Sequence, residues 1–330
     1  MGDLLLDVRN LTSGYESKQG NVIAVDNVSF SLMKGEFLGL AGESGCGKST
    51  LAYTLLGLLP SNGRVFGGDV YYKGQNLIPL SDEELRAIRW REISMVFQSA
   101  MSALNPVLTI KEQMLDTIFA HEPTVSLESA EARLRELMDL VELPAARLHD
   151  YPHQLSGGMK QRVVIALALV LQPNLVLMDE PTTALDVVVQ RSIIKKIEEL
   201  RQQLNFSIIF ITHDLSLLIE VSDKIAIMYS GQIVEMGPAR DVYRRALHPY
   251  TVGLMSSFPP LMGELKEFGG IPGKPPSLLN PPVGCRFHPR CSKAFGICKK
   301  VVPTLNEIDE NHFAACHLYA NDKKGGDASA

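Results

Sequence analysis

The sequence has no long apolar run and no export signal. Its most continuous apolar stretch, 163–171, is about half the length that a membrane-spanning helix needs, so no such helix is predicted. The first residues lack the basic segment and cleavage site of a signal peptide. Position 6 is a leucine, whereas myristoylation requires serine or threonine there. These absences predict a cytoplasmic chain.

The sequence also lacks a long basic run. It has 32 Lys and Arg residues against 37 Asp and Glu, for a formal net charge of −5. Proteins that bind nucleic acid usually carry a clustered basic footprint, so no nucleic-acid partner is predicted. A hydrophobic content of 45% supports a buried core. The length of 330 residues allows one large α/β domain with an appendage, or two domains.

Residues 42–50, called the P-loop below, form a glycine-rich segment between an apolar run and a helix-like run. They fit the pattern G-x-x-x-x-G-K-S/T, and the strand, turn and helix order around them is what a phosphate-binding loop requires. Backbone N–H groups and the helix N-terminus can then contact phosphate. Lys48 can reach the β- and γ-phosphates, and the Ser49 hydroxyl can bind Mg²⁺. The alternative is a glycine-rich turn without a ligand.

Three apolar segments that are typical of buried strands each end in polar residues. Gln98 follows the first, Asp179 and Glu180 follow the second, and His213 follows the third. The carboxyl ends of parallel strands meet at one edge of a sheet, where such side chains can form a site. Asp179 is expected to hold Mg²⁺, and Glu180 to orient or deprotonate an attacking water. Gln98 alone is weak evidence for a contact to Mg²⁺ or water. His213 is a candidate to contact the γ-phosphate only because of its position at the end of a strand.

Residues 13–15 separate two alternating segments, 4–8 and 22–32, which predict half-exposed strands. The Ser-Gly pair predicts a loop at this point. Tyr15 in that loop could stack on an adenine ring or have a purely structural role.

A mostly helical segment, about 81–171, interrupts the alternation of strands and helices. Ser81 and Glu84 have the spacing of a capping box. Residues 127–143 place apolar side chains at helical spacing. We therefore expect a helical subdomain inserted into the core.

Ser156, Gly157 and Gly158 precede an apolar helix that is predicted to begin near Arg162. Exposed N–H groups at a helix N-terminus can bind a second anion. On spacing alone, an ordinary N-cap followed by a flexible turn is at least as well supported.

Taken in order, these motifs resemble those of the ATPase subunit of an ABC transporter over roughly 4–250. The resemblance implies an α/β P-loop NTPase fold, the ABC-type nucleotide-binding domain, with a core α/β subdomain, an antiparallel β subdomain and an inserted helical subdomain. It implies ATP contacts at Tyr15, Gly42, Ser44, Gly45, Cys46, Gly47, Lys48, Ser49, Thr50 and Asp179.

The resemblance also assigns roles around the phosphates. The implied catalytic residues are Glu180, His213 and the Q-loop residue Gln98, with Mg²⁺ bound through Ser49, Gln98 and Asp179. Asp186 matches the D-loop. The LSGGMKQ run matches the family's signature, in which Ser156, Gly157, Gly158 and Gln161 contact an ATP held by a second subunit. The implied partner is an identical or a paralogous ATPase subunit, and the resemblance favours a paralogue.

Two further segments resemble those of oligopeptide and dipeptide importers. Residues 97–107 resemble the surface that meets the permease's coupling helix, and the chain from 248 onward resembles the C-terminal extension of these ATPases. The implied partners are two transmembrane permease subunits and, indirectly, an extracytoplasmic solute-binding protein, with the chain at the cytoplasmic face of the membrane. The implied cargo is a peptide, a nickel chelate or an oligosaccharide.

Four of the five cysteines, Cys285, Cys291, Cys298 and Cys316, follow a proline-rich linker over 251–284. In a reducing compartment such a cluster predicts metal or cluster ligation before disulfides. The spacing C-x5-C-x6-C-x17-C lacks the close C-x2-C pairs of zinc ribbons, which favours an iron–sulfur cluster over zinc. Some of the importers it resembles hold a 4Fe–4S cluster there. Zn²⁺ and four unliganded thiols are the alternatives.

Three histidines, His288, His312 and His317, lie near these cysteines in the sequence. They could replace a cysteine as ligands or could be surface residues. We predict an ATPase domain over 1–250, a cysteine-rich extension over 285–318 and a disordered tail over 319–330.

An exporter ATPase and a soluble ABC ATPase acting on DNA or the ribosome are the alternative functions. Chromosome-maintenance members insert a long coiled coil before the signature, whereas 49–156 shows no sustained heptads. Translation-factor members carry two cassettes, and this chain has one. An exporter is disfavoured by the importer-like tail and by the absence of fused membrane spans.

Overall fold

The computed structural model describes residues 3–98, 102–182, 185–256 and 270–319. The strands of these residues form two sheets. One is a four-stranded antiparallel sheet in the order β2-β1-β4-β5, and the other is an eight-stranded sheet in the order β11-β12-β10-β9-β3-β8-β7-β6. The strands are β1 (Leu4–Ser17), β2 (Gly20–Met33), β3 (Phe37–Ala41), β4 (Gly63–Tyr72), β5 (Gln75–Asn76), β6 (Ile93–Val96), β7 (Leu175–Asp179), β8 (Ser207–Ile211), β9 (Lys224–Tyr229), β10 (Gln232–Pro238), β11 (Asn306–Asp309) and β12 (His312–Ala314).

The α-helices of the described residues flank these sheets. They are α1 (Lys48–Leu55), α2 (Asp82–Ile88), α3 (Ile110–His121), α4 (Leu127–Leu140), α5 (Gly157–Leu169), α6 (Val187–Leu204), α7 (Leu215–Val221), α8 (Ala239–Arg244) and α9 (Pro249–Ser256). Within the described ranges, no helix is both long and apolar enough to cross a bilayer.

Strands β6, β7, β8, β3 and β9 run parallel and form one side of the larger sheet, with β6 at its edge. Every residue of β3, β7 and β8 is buried, as their apolar sequences predict. Alternate residues contribute to two separate cores. Phe37 and Phe210 pack into a core that includes residues of α3 to α6, whereas Leu38 and Ile209 pack into one shared with α1 and the antiparallel sheet. The parallel arrangement brings the carboxyl ends of these strands to one edge.

The predicted helical segment differs from the observed one at two points. The expected span, 81–171, includes β6, which pairs in parallel with β7 and belongs to the large sheet. The helix predicted near Arg162 begins at Gly157 instead, because the Ser156 hydroxyl accepts from the backbone N–H of Met159 and caps it. The capping box predicted before α2 is confirmed, with both of its hydrogen bonds present.

Tyr15 lies in strand β1 rather than in the predicted loop. The strand continues through 13–15 because Tyr15 pairs with Val22 on one side and Gly63 on the other, with irregular register just before it. The local Ser-Gly signal is therefore overridden by pairing on both edges of the strand.

The C-terminal extension, defined here as residues 270–319, is joined to the ATPase core by strand pairing. Strand β12 pairs antiparallel with β10 and brings β11 with it as the outermost strand of the large sheet. The fully buried Glu235 carboxylate on β10 accepts from His312 Nε2 on β12 at 2.8 Å. His312 is thus a buried structural residue, and neither a surface residue nor a free ligand as the sequence suggested. Helix α9 occupies the start of the predicted linker, and residues 257–269 and 320–330 lie outside the described residues.

Candidate nucleotide-binding site

The P-loop follows β3 directly and ends in α1, as predicted. Its glycines are required by the close approach of neighbouring backbone. Gly47 has φ +109°, and a Cβ there would lie 1.9 Å from the Ala24 carbonyl oxygen. A Cβ on Gly42 would lie 2.2 Å from the Met228 carbonyl oxygen. The loop therefore curls tightly before α1, and the N–H groups of such a loop and of a helix N-terminus can stabilise an anion.

Lys48 is buried, and its ammonium group lies back on the P-loop. Its Nζ donates to the carbonyl oxygens of Gly42 at 2.8 Å and Glu43 at 3.1 Å. No carboxylate of the described residues forms an ion pair with it. A buried cation that has only neutral acceptors is well suited to bind a phosphate.

Asp179 is fully buried at the end of β7, facing Ser49. Neither carboxylate oxygen makes a hydrogen bond to any described residue. Burial raises the pKa of Asp179, and the charge of Glu180 adds to that effect, while the nearby Ser49 hydroxyl and Lys48 ammonium oppose it. An unpartnered buried carboxylate beside a hydroxyl is a donor set that fits Mg²⁺, which prefers oxygen ligands.

Glu180 lies between Gln98 and His213, so the structure brings together the three predicted catalytic residues. Gln98 Nε2 lies 3.4 Å from Glu180 Oε2, and His213 Nδ1 lies 3.6 Å from Glu180 Oε1. Glu180 has φ +46°, a left-handed conformation that costs energy for a residue with a side chain. Its N–H donates to the Ile211 carbonyl oxygen of β8, which holds it in this conformation.

Tyr15 is next to the P-loop helix. Its hydroxyl is 2.9 Å from Thr50 Oγ1. The contact places the half-buried tyrosine ring beside the start of α1, on the antiparallel sheet.

The signature residues are exposed and separate from the P-loop. Ser156 and Gly157 are solvent-exposed at the start of α5. Within the described residues, no hydrogen bond or ion pair joins 156–161 to 42–50. Gln161 is buried, and its Nε2 has no hydrogen-bond partner among those residues. Asp186 caps α6, because its carboxylate accepts from the N–H groups of Val188 and Val189.

The four predicted cysteine ligands share one small cavity in the C-terminal extension. The residues lining it include Cys285, Cys291, Cys298, Cys316, His248, His288 and His317. Burial, with a smaller contribution from the neighbouring cysteines, raises the pKa of Cys316 to about 11. Yet, in the part of the chain that the structure describes, no three His, Cys, Asp or Glu side chains form a group that could hold a single metal ion.

Sequence reasoning missed one contact of the P-loop. Arg290, one residue before Cys291, forms a bidentate ion pair with the P-loop residue Glu43. The only signal in the sequence is an arginine between two cysteines, which does not identify its partner.

Comparison with known proteins agrees with this geometry. Residues 25–183 match the family model described as ABC transporter, and 234–298 match that of the oligopeptide/dipeptide transporter, C-terminal region. The dipeptide transport ATP-binding protein DppD of Caldanaerobacter subterraneus is 43% identical over 96% of this chain and 97% of its own length. The oligopeptide transport ATP-binding protein OppD of Escherichia coli is 43% identical over 95% of this chain and 93% of its own.

The chain belongs to the ABC transporter family. Its fold is the predicted ABC-type ATPase fold, since a dimeric ABC transporter cassette, MJ0796, aligns with a TM-score of 0.64 and 31% identity. That alignment covers 72% of this chain and 99% of the cassette. A second structure of the same cassette is described as a post-hydrolysis state bound to ADP and Pi. The predicted ATPase activity is thereby confirmed as that of an ABC ATPase, and the predicted importer resemblance is confirmed by its relatives.

Proposed function

We propose that this ABC ATPase is the motor subunit of an importer that takes up oligopeptides, dipeptides or related solutes such as oligosaccharides. The observation that carries the motor role is the meeting of Gln98, Glu180 and His213 beside the buried Asp179, whose carboxylate has no hydrogen-bond partner in the described ranges. The match of 234–298 to the oligopeptide/dipeptide C-terminal region supports an importer over an exporter or a soluble ABC ATPase.

Each residue has a defined task in hydrolysis. The P-loop N–H groups and Lys48 bind the β- and γ-phosphates. Mg²⁺ held by Ser49 and Asp179, with Gln98 completing its contacts, would neutralise phosphate charge. Glu180 accepts a proton from the water whose oxygen bonds to the γ-phosphorus as the bond to ADP breaks. His213 and Gln98 orient the Glu180 carboxylate and the γ-phosphate.

The site is completed by a second subunit. The signature residues Ser156 and Gly157 are exposed and free of P-loop contacts, so in this proposal they act on the ATP of a partner. Val187 and Val188, directly after the D-loop residue Asp186, are 67% and 79% exposed. Adjacent exposed valines beside a catalytic loop support a protein contact there. The partner is a paralogous or identical ATPase subunit.

Mixing two inactive variants tests the composite site. Lys48→Ala removes phosphate binding, and Ser156→Arg blocks the signature, so each dimer alone is expected to be inactive. A mixed dimer has one site with an intact P-loop and an intact signature, because the two faces come from different chains. We expect steady-state ATP hydrolysis to reappear on mixing. Continued inactivity of folded, dimeric mixtures would contradict a site shared between subunits.

The permease surface lies near Gln98. Phe97 and Val107 are exposed on either side of residues 99–101, which lie outside the described residues. Two exposed apolar side chains beside a catalytic residue support contact with two permease subunits at the cytoplasmic face of the membrane. Cargo would reach those permeases from a solute-binding protein.

We further propose that Cys285, Cys291, Cys298 and Cys316 hold a 4Fe–4S cluster. Zinc requires Zn–S distances of about 2.3 Å, hence sulfurs about 4 Å apart around one ion. The four thiols line one cavity, which supports a shared ligation site, and the wide spacing C-x5-C-x6-C-x17-C favours a cluster over Zn²⁺. The cluster would also supply four bonds to a segment that has few apolar residues.

Iron and acid-labile sulfide content tests the cysteine proposal. Anaerobically purified chain is expected to contain about four irons and visible thiolate-to-iron absorption, and Cys298→Ser to lose both. His288→Ala is the matched control. It lines the same cavity, but its Nδ1 contacts the Cys285 carbonyl oxygen at 2.9 Å, so iron should be retained. A colourless chain with one zinc would contradict the proposal.

A further inference from the structure

We infer that the C-terminal extension positions the ATP site, with Arg290 acting on bound nucleotide through the P-loop residue Glu43. Arg290 is a positioning residue, since it contacts the loop and not the phosphates. The inference rests on the proposed assignment of 42–50 as the nucleotide site. It goes beyond that assignment by making nucleotide affinity depend on a residue 247 positions further along the chain.

The ion pair is well shielded and has a defined geometry. Arg290 Nη1 lies 2.6 Å from Glu43 Oε2, and Nη2 lies 3.0 Å from Oε1. The Arg290 side chain is 5% exposed and that of Glu43 is 27% exposed. The third guanidinium nitrogen, Nε, donates to the Pro272 carbonyl oxygen at 2.8 Å, and Nη1 and Nη2 also donate to the Tyr229 hydroxyl at 3.3 Å and the Gly273 carbonyl oxygen at 3.4 Å. A bidentate pair fixes orientation as well as distance, so the Glu43 side chain has little freedom.

Helix α9 provides a second tie to the same P-loop residue. The backbone N–H of Glu43 donates to the Tyr250 hydroxyl at 2.9 Å. Tyr250 is fully buried, and its ring lies 4.6 Å from that of Tyr229 and 5.4 Å from that of Phe287, measured between centroids. Phe287 belongs to the extension. Glu43 is therefore held at its backbone and at its side chain by residues that follow β10 in the chain.

This restraint matters for phosphate binding. The Glu43 carbonyl oxygen accepts from Lys48 Nζ, the cation proposed to bind the phosphates, and from the N–H of Cys46. Moving Glu43 would therefore displace both the lysine and the loop backbone. The Glu43 carboxylate also places negative charge next to the phosphate site, and Arg290 neutralises it. Without Arg290 the loop would be less ordered and more repulsive to ATP.

The linkage also reaches the proposed cluster. Arg290 immediately precedes Cys291, and Phe287 lies between Cys285 and Cys291 in the sequence. Filling the cysteine site orders the segment that carries Arg290, so it is expected to tighten nucleotide binding. By reciprocity, bound nucleotide must stabilise the docked extension by the same factor.

The test measures the equilibrium Kd for a fluorescent ATP analogue in full-length variants of Arg290 and Glu43, in the double variant and in controls. Arg290→Gln is expected to raise Kd about tenfold, equal to about 1.4 kcal/mol, and to raise KM for ATP while kcat changes less than about threefold. Glu43→Gln is expected to raise Kd several-fold, because it breaks the same bidentate ion pair. If Arg290 acts through Glu43, the double variant binds no more weakly than Arg290→Gln. Additive losses would overturn the inference.

Arg286→Gln is the matched control. Arg286 is also buried in the extension and ties it to the core through Asp26 and the Ser230 carbonyl oxygen, without touching Glu43. We expect its Kd to stay within about twofold of wild type. An equal loss in Arg286→Gln and Arg290→Gln would show that only docking of the extension matters, and would overturn the inference.

Two measurements keep the test decisive. Unfolding temperature and iron content report whether the extension stays intact. If Arg290→Gln lowers either one, Glu43→Gln replaces it, since it breaks the same ion pair from the P-loop side and leaves the residues of the extension unchanged, and an unchanged Kd would overturn the inference. Lys48→Ala is the reference: if it leaves Kd unchanged, the nucleotide-site assignment itself fails. A loss in Lys48→Ala without one in Arg290→Gln rejects the inference alone.

Discussion

Replacing Glu180 with glutamine is expected to lower ATP hydrolysis by about 10² to 10⁴-fold while leaving ATP binding intact. The amide cannot accept the proton of the attacking water. It is nearly isosteric, so the contacts to Gln98 and His213, at 3.4 and 3.6 Å in the wild type, need little change. If the ATP site is shared between two subunits, as proposed above, ATP binds the closed dimer better than the open one, and the variant should accumulate as a closed, ATP-loaded dimer.

Steady-state phosphate release measures the loss of hydrolysis, and size-exclusion chromatography with Mg-ATP measures the accumulation of the dimer. Glu136→Gln on α4 is the control: it is the same change on an exposed helix face, and both measurements should match wild type. Undiminished turnover in Glu180→Gln would remove Glu180 from the mechanism. Loss of turnover together with loss of ATP binding would point to a binding role instead.

Asp179→Asn is expected to abolish Mg²⁺-dependent hydrolysis and yet stabilise the metal-free protein. Burial holds the pKa of Asp179 above its ordinary value of 3.8, so the folded chain binds more protons than the unfolded chain just above that pH. Stability of the metal-free protein therefore falls as pH rises through the folded-state pKa. The neutral amide of the variant does not ionise, so this loss in the free energy of unfolding does not occur. We expect the variant to be more stable by about 1 to 3 kcal/mol at neutral pH.

Thermal unfolding with and without Mg-ATP measures whether Asp179→Asn raises or lowers the unfolding temperature in each condition. Without ligand, the variant should unfold at a higher temperature than wild type, and the gap should close as the pH is lowered toward 4. With Mg-ATP the order should reverse, because Mg²⁺ stabilises only the wild-type carboxylate. A variant that is less stable than wild type without ligand would mean that the Asp179 oxygens have partners in solution.

The parts of this protein that were predictable are local. The P-loop, the buried strands that end in Gln98, Asp179, Glu180 and His213, and the capping box before α2 follow from patterns spanning fewer than about ten residues, in which backbone and burial preferences agree. The loop predicted at 13–15 is part of strand β1 instead, because strand pairing outweighed the local turn signal. The mostly helical segment 81–171 contains β6, the strand predicted to end in Gln98, which pairs with β7 and so belongs to the large sheet. The domain boundaries and the roles of individual site residues stay predictions.

The sequence by itself determined which chemistry the chain carries: a phosphate loop, two acids after a buried strand, a signature and a cysteine cluster. Tertiary structure alone decided which of these groups meet. It left the Asp179 oxygens without a partner among the described residues, paired Glu235 with His312, and joined Glu43 to Arg290. The physical reason is that such contacts depend on burial and charge pairing between distant segments, whose energies no local pattern records.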